Sequence, residues 1–86
     1  MSSYLELIEG SRLIESVETC STTGDVDYPG TAVEVTDKDG MDLFHIVVDG
    51  EGRRQVLFFA VQENYRVPFE ALERCLAKAR DVVMPK

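Results

Sequence analysis

Residues 41–61, MDLFHIVVDGEGRRQVLFFAV, are apolar on both faces of any strand they form. A strand packed against a single core alternates apolar and polar side chains. Here Phe44, Ile46 and Val48 fall on one face of the first arm, and Leu43, His45 and Val47 on the other. The second arm divides in the same way, with Val56, Phe58 and Ala60 opposing Leu57, Phe59 and Val61. Between the arms, Asp49-Gly50-Glu51-Gly52 is rich in residues that accept left-handed backbone, so the segment reads as an antiparallel hairpin. Covering both of its faces calls for the chain's own helices or a second copy of it.

The flanking segments supply few helices. Ser3-Tyr4-Leu5-Glu6 has the S-x-x-E spacing of a capping box, and Gly10 follows as a stop, which predicts a short helix over residues 4–9. Carrying that helix on to residue 17 scatters its apolar side chains around the wheel, so residues 12–20 read as a strand, with one long helix to about residue 18 as the alternative. Ser21 to Gly30 is a loop, TAVEVT at residues 31–36 alternates as a strand, and Asp37-Lys38-Asp39-Gly40 is a turn. Pro68 opens a C-terminal helix in which Phe69, Leu72, Cys75, Leu76, Ala79, Val82 and Val83 share one stripe. These elements predict an α+β fold in one domain over residues 1–86. Its core is an antiparallel β-meander of three to four strands. A long C-terminal amphipathic helix packs on one face, and a short helix stands at the N-terminus. Residues 55–61, QVLFFAV, combine strand propensity with no charge and no proline. Left in water they would aggregate, so they are expected inside the sheet or across an interface, with Arg53 and Arg54 as flanking guards.

Charge bears on partners. The net charge is −7, but residues 1–51 hold 12 acidic and 2 basic side chains, while residues 52–86 hold 4 acidic and 7 basic ones. Nucleic-acid binding is disfavoured, because the arginines are scattered and the C-terminal helix interleaves Glu70, Glu73 and Asp81 with its basic residues. No apolar run approaches the roughly 20 residues that span a bilayer, so no membrane partner is expected. The start, MSSYLELIEG, lacks the basic and long apolar regions of an export signal. The expected compartment is cytoplasmic, with Cys20 and Cys75 reduced.

No motif commits the chain to a reaction. His45 sits mid-strand among apolar residues with nothing near in sequence to orient it. Cys75 lies on the apolar stripe of its helix, where thiols are inert, and Cys20 is less constrained. Asp37-Lys38-Asp39-Gly40-Met41-Asp42 resembles a fragment of a calcium loop but lacks its closing glutamate, and Asp25-Val26-Asp27 is shorter still. A plain turn accounts for the former. The glycines match no dinucleotide or phosphate fingerprint. No cofactor and no metal are expected. The linker before the last helix mixes polar and aromatic residues, which makes Tyr65 and Arg66 candidate protein-interaction residues. The first expectation is a small acidic, non-catalytic interaction module, self-associating as a homodimer through an apolar sheet face. The second is an acidic inhibitor or immunity-type protein for a basic partner such as a nuclease or toxin. The third is a ligand-binding protein or enzyme using His45 and a cysteine.

Overall fold

A computed structural model describes residues 3–22, 30–59 and 63–84. Helix α1 (Tyr4–Gly10) begins where the capping signal placed it. Ser3 is the N-cap, and its hydroxyl oxygen accepts from the Glu6 N–H at 3.2 Å. Strands β2 (Glu18–Thr22), β3 (Ala32–Thr36), β4 (Asp42–Val48) and β5 (Arg54–Phe58) form an antiparallel sheet in sequence order. Helix α2 (Phe69–Val82) packs on one face of it. The architecture is the α+β meander expected, with a four-stranded sheet.

The segment 12–20 is neither one strand nor a helix. It breaks into β1 (Arg12–Leu13) and β2, because Ile14 turns into the core between them at 3% exposure. β1 pairs in parallel with β6 (Tyr65–Arg66), Arg12 beside Tyr65 and Leu13 beside Arg66. The Arg12 N–H donates to the Asn64 carbonyl at 3.0 Å, and the Ile14 N–H to the Arg66 carbonyl at 2.9 Å. Two-residue strands more than 50 positions apart leave no periodic signal, so this second sheet could not be read beforehand.

The core lies between α2 and one face of the sheet. Val33, Val35, Phe44, Ile46 and Val48 face Cys75, Ala79 and Val83, with Ile14 and Leu43 joining them. The helix buries most of the stripe its sequence suggests, with Cys75, Ala79 and Val83 in the core and Leu72 and Val82 packed against it, but it is rolled toward Ala71. Ala71, Cys75 and Ala79, spaced four apart, are its buried line, while Phe69 and Leu76 are exposed. A row of small side chains lets a helix approach a sheet more closely than a row of large ones, and the helix rolls to use it. Pro68 is its N-cap rather than its first helical residue, so the helix starts one residue later than expected, at Phe69. Two ties fix its C-terminal end. The Thr31 N–H donates to the Met84 carbonyl at 3.0 Å, and the Thr31 hydroxyl bonds the Val82 carbonyl and accepts from the Met84 N–H at 2.8 Å. Arg54 Nε donates to the Val83 carbonyl at 3.0 Å. A cation on the last carbonyls of a helix also complements its dipole.

Both predicted turns form around an aspartate. Asp37 Oδ1 accepts from the N–H groups of Asp39 and Met41, each at 2.9 Å. Asp49 Oδ1 accepts from those of Glu51 and Arg53 at 2.9 and 3.0 Å. Left-handed backbone occurs at Gly40 (φ 85°) and Gly52 (φ 82°), so the second glycine of the 49–52 turn carries the conformation. No helix among the described residues is long and apolar enough to cross a membrane.

Candidate functional site

The hairpin within residues 41–61 splits into two unlike strands. β4 is covered on both faces, with every residue from Leu43 to Val48 buried. β5 is not interior, which corrects one of the two placements expected for residues 55–61; it is the last strand of the sheet, and all five of its residues are exposed. Ala60 and Val61 lie outside the described residues. Val56 is 38% exposed, Leu57 45% and Phe58 67%. Two covered faces were expected; β4 has both and β5 has neither.

The guards expected on β5 are turned elsewhere. Arg53 reaches Asp49 and Glu51 at 3.1 and 3.2 Å. Arg54 is drawn onto the end of α2, its NH2 group also donating to the Arg80 carbonyl at 3.4 Å. Gln55 donates from Nε2 to Asp49 Oδ2 at 3.0 Å. These ties, with the two backbone bonds, hold the Asp49 carboxyl far below the usual carboxylate range, the Gln55 bond contributing most. The polar side chains of this edge therefore serve the turn and the helix, and what remains along the strand is apolar. Natural edge strands are ordinarily protected by outward charge, proline or a bulge. At the opposite edge, β2 presents Glu18, Thr19, Cys20 and Ser21.

Beside β5, the overhang of α2 makes a groove of about 290 Å³. Ile46, Val56, Leu76 and Ala79 form its floor and walls, and Arg54 and Arg80 stand with them. A second uncovered apolar surface is α1, which buries none of its residues. Tyr4, Leu5, Leu7 and Ile8 occupy one side of that helix and Glu6 and Glu9 the other, with Tyr4 86% exposed.

Tyr65 and Arg66 have internal partners. The Tyr65 hydroxyl donates to the Leu43 carbonyl at 3.1 Å, and its partial burial raises its pKa. Arg66 NH1 donates to the carbonyls of Ile8 and Ser11 and to the Ser11 hydroxyl, so its guanidinium clasps the end of α1. Composition singled out both residues, but it carries no information about whether a side chain turns inward or outward.

The residues considered for chemistry are held apart. His45 is buried on the sheet face opposite α2, in a cross-strand row with Glu34 and Leu57. Its Nε2 lies 3.1 Å from Asp42 Oδ1 and 4.0 Å from Glu34 Oε2, and Phe59 meets its ring edge-on at 4.7 Å. A carboxylate only accepts, so Nε2 carries a hydrogen. Asp42 orients His45, a contact the sequence reading missed, because residues three apart on a regular strand point to opposite faces. The register shift between Val35 and Thr36 sets Asp42 at the end of the ladder, where that rule lapses. Cys75 lies under α2, across the sheet from His45. Burial raises its thiol pKa, partly offset by Arg74 and Lys78. Cys20 shares the His45 face but stands two strands away, roughly 10 Å at the usual strand spacing. Both cysteines are free thiols, Cys20 exposed and Cys75 buried.

The acidic turn is occupied by its own chain. Asp37 is 3% exposed, caps its turn and meets Arg12 NH2 at 3.0 Å. The Met41 N–H first, then those of Asp39 and the Arg12 guanidinium, hold its pKa below the usual value against the opposing effect of burial. Among the described residues no group of three or more His, Cys, Asp or Glu side chains is placed to hold a metal ion. Asp25 and Asp27 lie outside the described residues. No family model, curated protein or solved structure matches the chain.

Proposed function

We propose that the protein is a small non-catalytic interaction module that associates with itself through the apolar surface formed by β5 and the adjoining groove. One observation carries this reading: β5 exposes Val56, Leu57 and Phe58 at an edge from which its polar neighbours are drawn away. Isolated exposed apolar residues are ordinary on protein surfaces, but a contiguous patch with an open strand edge marks a contact surface. The exposed apolar side of α1 adds to the same reading.

Light scattering at low and high salt tests it. The expected result is a two-chain mass that persists at high salt, since apolar burial is little affected by screening. A one-chain mass throughout an about hundredfold range of concentration refutes the proposal. The inhibitor reading rests on charge and predicts capture of a basic partner that weakens steeply as salt rises.

A further inference from the structure

The backbone of β5 specifies more than a sticky surface. Its pairing with β4 sets Gln55 opposite Val47 and Leu57 opposite His45. The turn below is closed by the Asp49 N–H donating to the Arg53 carbonyl at 2.9 Å, and beyond the far end the Phe59 N–H donates to the Leu43 carbonyl at 3.5 Å. In an antiparallel ladder, hydrogen-bonded pairs alternate with non-bonded ones. Residues 53, 55, 57 and 59 are therefore the ones whose N–H and C=O groups point to β4. The N–H and C=O groups of Arg54, Val56 and Phe58 point the other way, to the open edge.

We infer that the partner is a second copy of this chain, joined by antiparallel β5–β5 pairing about a two-fold axis at Val56. This rests on the self-association reading above and assigns it a register. With the axis at Val56, Arg54 faces the partner's Phe58, Val56 faces its own equivalent, and Phe58 faces the partner's Arg54. Each of these pairs exchanges both of its hydrogen bonds, and every outward group of the strand is used. Sliding by two residues either way leaves two such pairs instead of three. A slide by one residue sets outward groups against inward ones.

Side chains agree with this register. Arg54 and its equivalent stand four residues apart along the joined strands, about 13 Å, so no like charges meet at the centre. Val56 and Phe58 lie on the α2 face, where Phe58 already packs against Phe44 with ring centroids 5.7 Å apart. A two-fold axis normal to the sheet keeps both α2 helices on that face. The exposed Leu76 of each copy then flanks the central strands, above the groove that Val56 lines. The product is one eight-stranded sheet whose outer edges are the two polar β2 strands, a closed assembly with no apolar edge left to propagate.

Charge exchange at Val56 tests the register. Val56→Lys and Val56→Glu each set two like charges against each other at the axis, whereas an equimolar mixture sets a lysine against a glutamate. Circular dichroism first verifies that both variants fold; Val56 is partly exposed, and its outward N–H takes no part in the β4 ladder. Mass is then measured by light scattering for wild type, each variant and the mixture. The expected pattern is a two-chain mass for wild type, association weakened at least about tenfold in each variant alone, and recovery of the two-chain mass on mixing. A dimeric wild type whose variants stay dimeric, or whose monomeric variants fail to recover on mixing, overturns the register while leaving self-association standing. A monomeric wild type overturns both. If Val56→Lys or Val56→Glu fails to fold, Phe58→Glu and Phe58→Lys decide. Phe58 is the more exposed residue, and a charge there would face the partner's Arg54, so Phe58→Glu should weaken association less than Phe58→Lys; equal weakening by the two overturns the register.

Discussion

Phe44 and Phe58 are the same residue type, face each other across β4 and β5, and differ almost only in exposure, 2% against 67%. Truncating each to alanine therefore compares a core strand with an open edge at constant chemistry. Phe44→Ala removes a buried ring and leaves a cavity, a change that costs about 4 kcal/mol. Phe58→Ala removes a ring with about a third of its roughly 200 Å² covered, which at about 25 cal/mol per Å² is worth about 1.5 kcal/mol. An 86-residue chain unfolds with an entropy of about 180 cal/mol/K, so the expected falls in Tm are about 20 °C and about 8 °C. The assay is thermal unfolding followed by circular dichroism in dilute solution and again at about hundredfold higher concentration. In dilute solution the two falls should differ by more than twofold. At high concentration the wild type should gain stability by mass action, and the Phe58→Ala loss should grow while the Phe44→Ala loss stays constant. Equal losses in dilute solution would refute the placement of β5 at an open edge. A Phe58→Ala loss independent of concentration would refute its burial by association.

Three further outcomes follow from the turns, the buried carboxylate and the thiols. Gly40→Ala and Gly52→Ala should each cost about 1 kcal/mol in urea denaturation, because their φ values lie in the left-handed region; Gly50→Ala should be near neutral, and equal costs at all three would contradict the turn geometry. The pKa of Asp37 is depressed in the folded state, so its contribution is fully present above the ordinary value of 3.8 and is lost as pH falls through the lower folded value. Wild type should therefore weaken below about pH 4 more steeply than Asp37→Asn, and superimposable pH profiles would remove Asp37 as a source of acid sensitivity. In a thiol titration with an aromatic disulfide reagent, Cys20 should react at once and Cys75 only on unfolding; two fast thiols would contradict the packing of α2.

Local chemistry made much of the fold legible. Ser3 and Glu6 marked the start of α1, Pro68 marked the start of α2, and the aspartate–glycine turns set the order β3, β4, β5. What escaped had non-local causes. β1 and β6 are too short to have a period. The roll of α2 toward Ala71 reflects how closely a helix can approach a sheet, which a hydrophobic stripe does not encode. The apolar run 55–61 pointed to an interior or interface strand, whereas the structure places β5 at the edge of the sheet, because the order of strands is not written in periodicity. Tyr65 and Arg66 were chosen for composition, and the structure gives them partners within their own chain.

The clasp of Arg66 on α1 has a consequence for how the molecule breathes. A seven-residue helix is about half the length at which an isolated helix becomes even marginally stable in water, and this one buries no side chain. Its order depends on a capped start, the short β1–β6 pairing beyond it and the guanidinium gripping Ile8 and Ser11. The amides of α1 should accordingly exchange with solvent through a local opening, while those of β3 and the buried face of β4 wait for the whole sheet to come apart. The chain thus holds two exchange regimes, a slow sheet and a fast arm. Arg66 is one of the three holds that keep the arm shut.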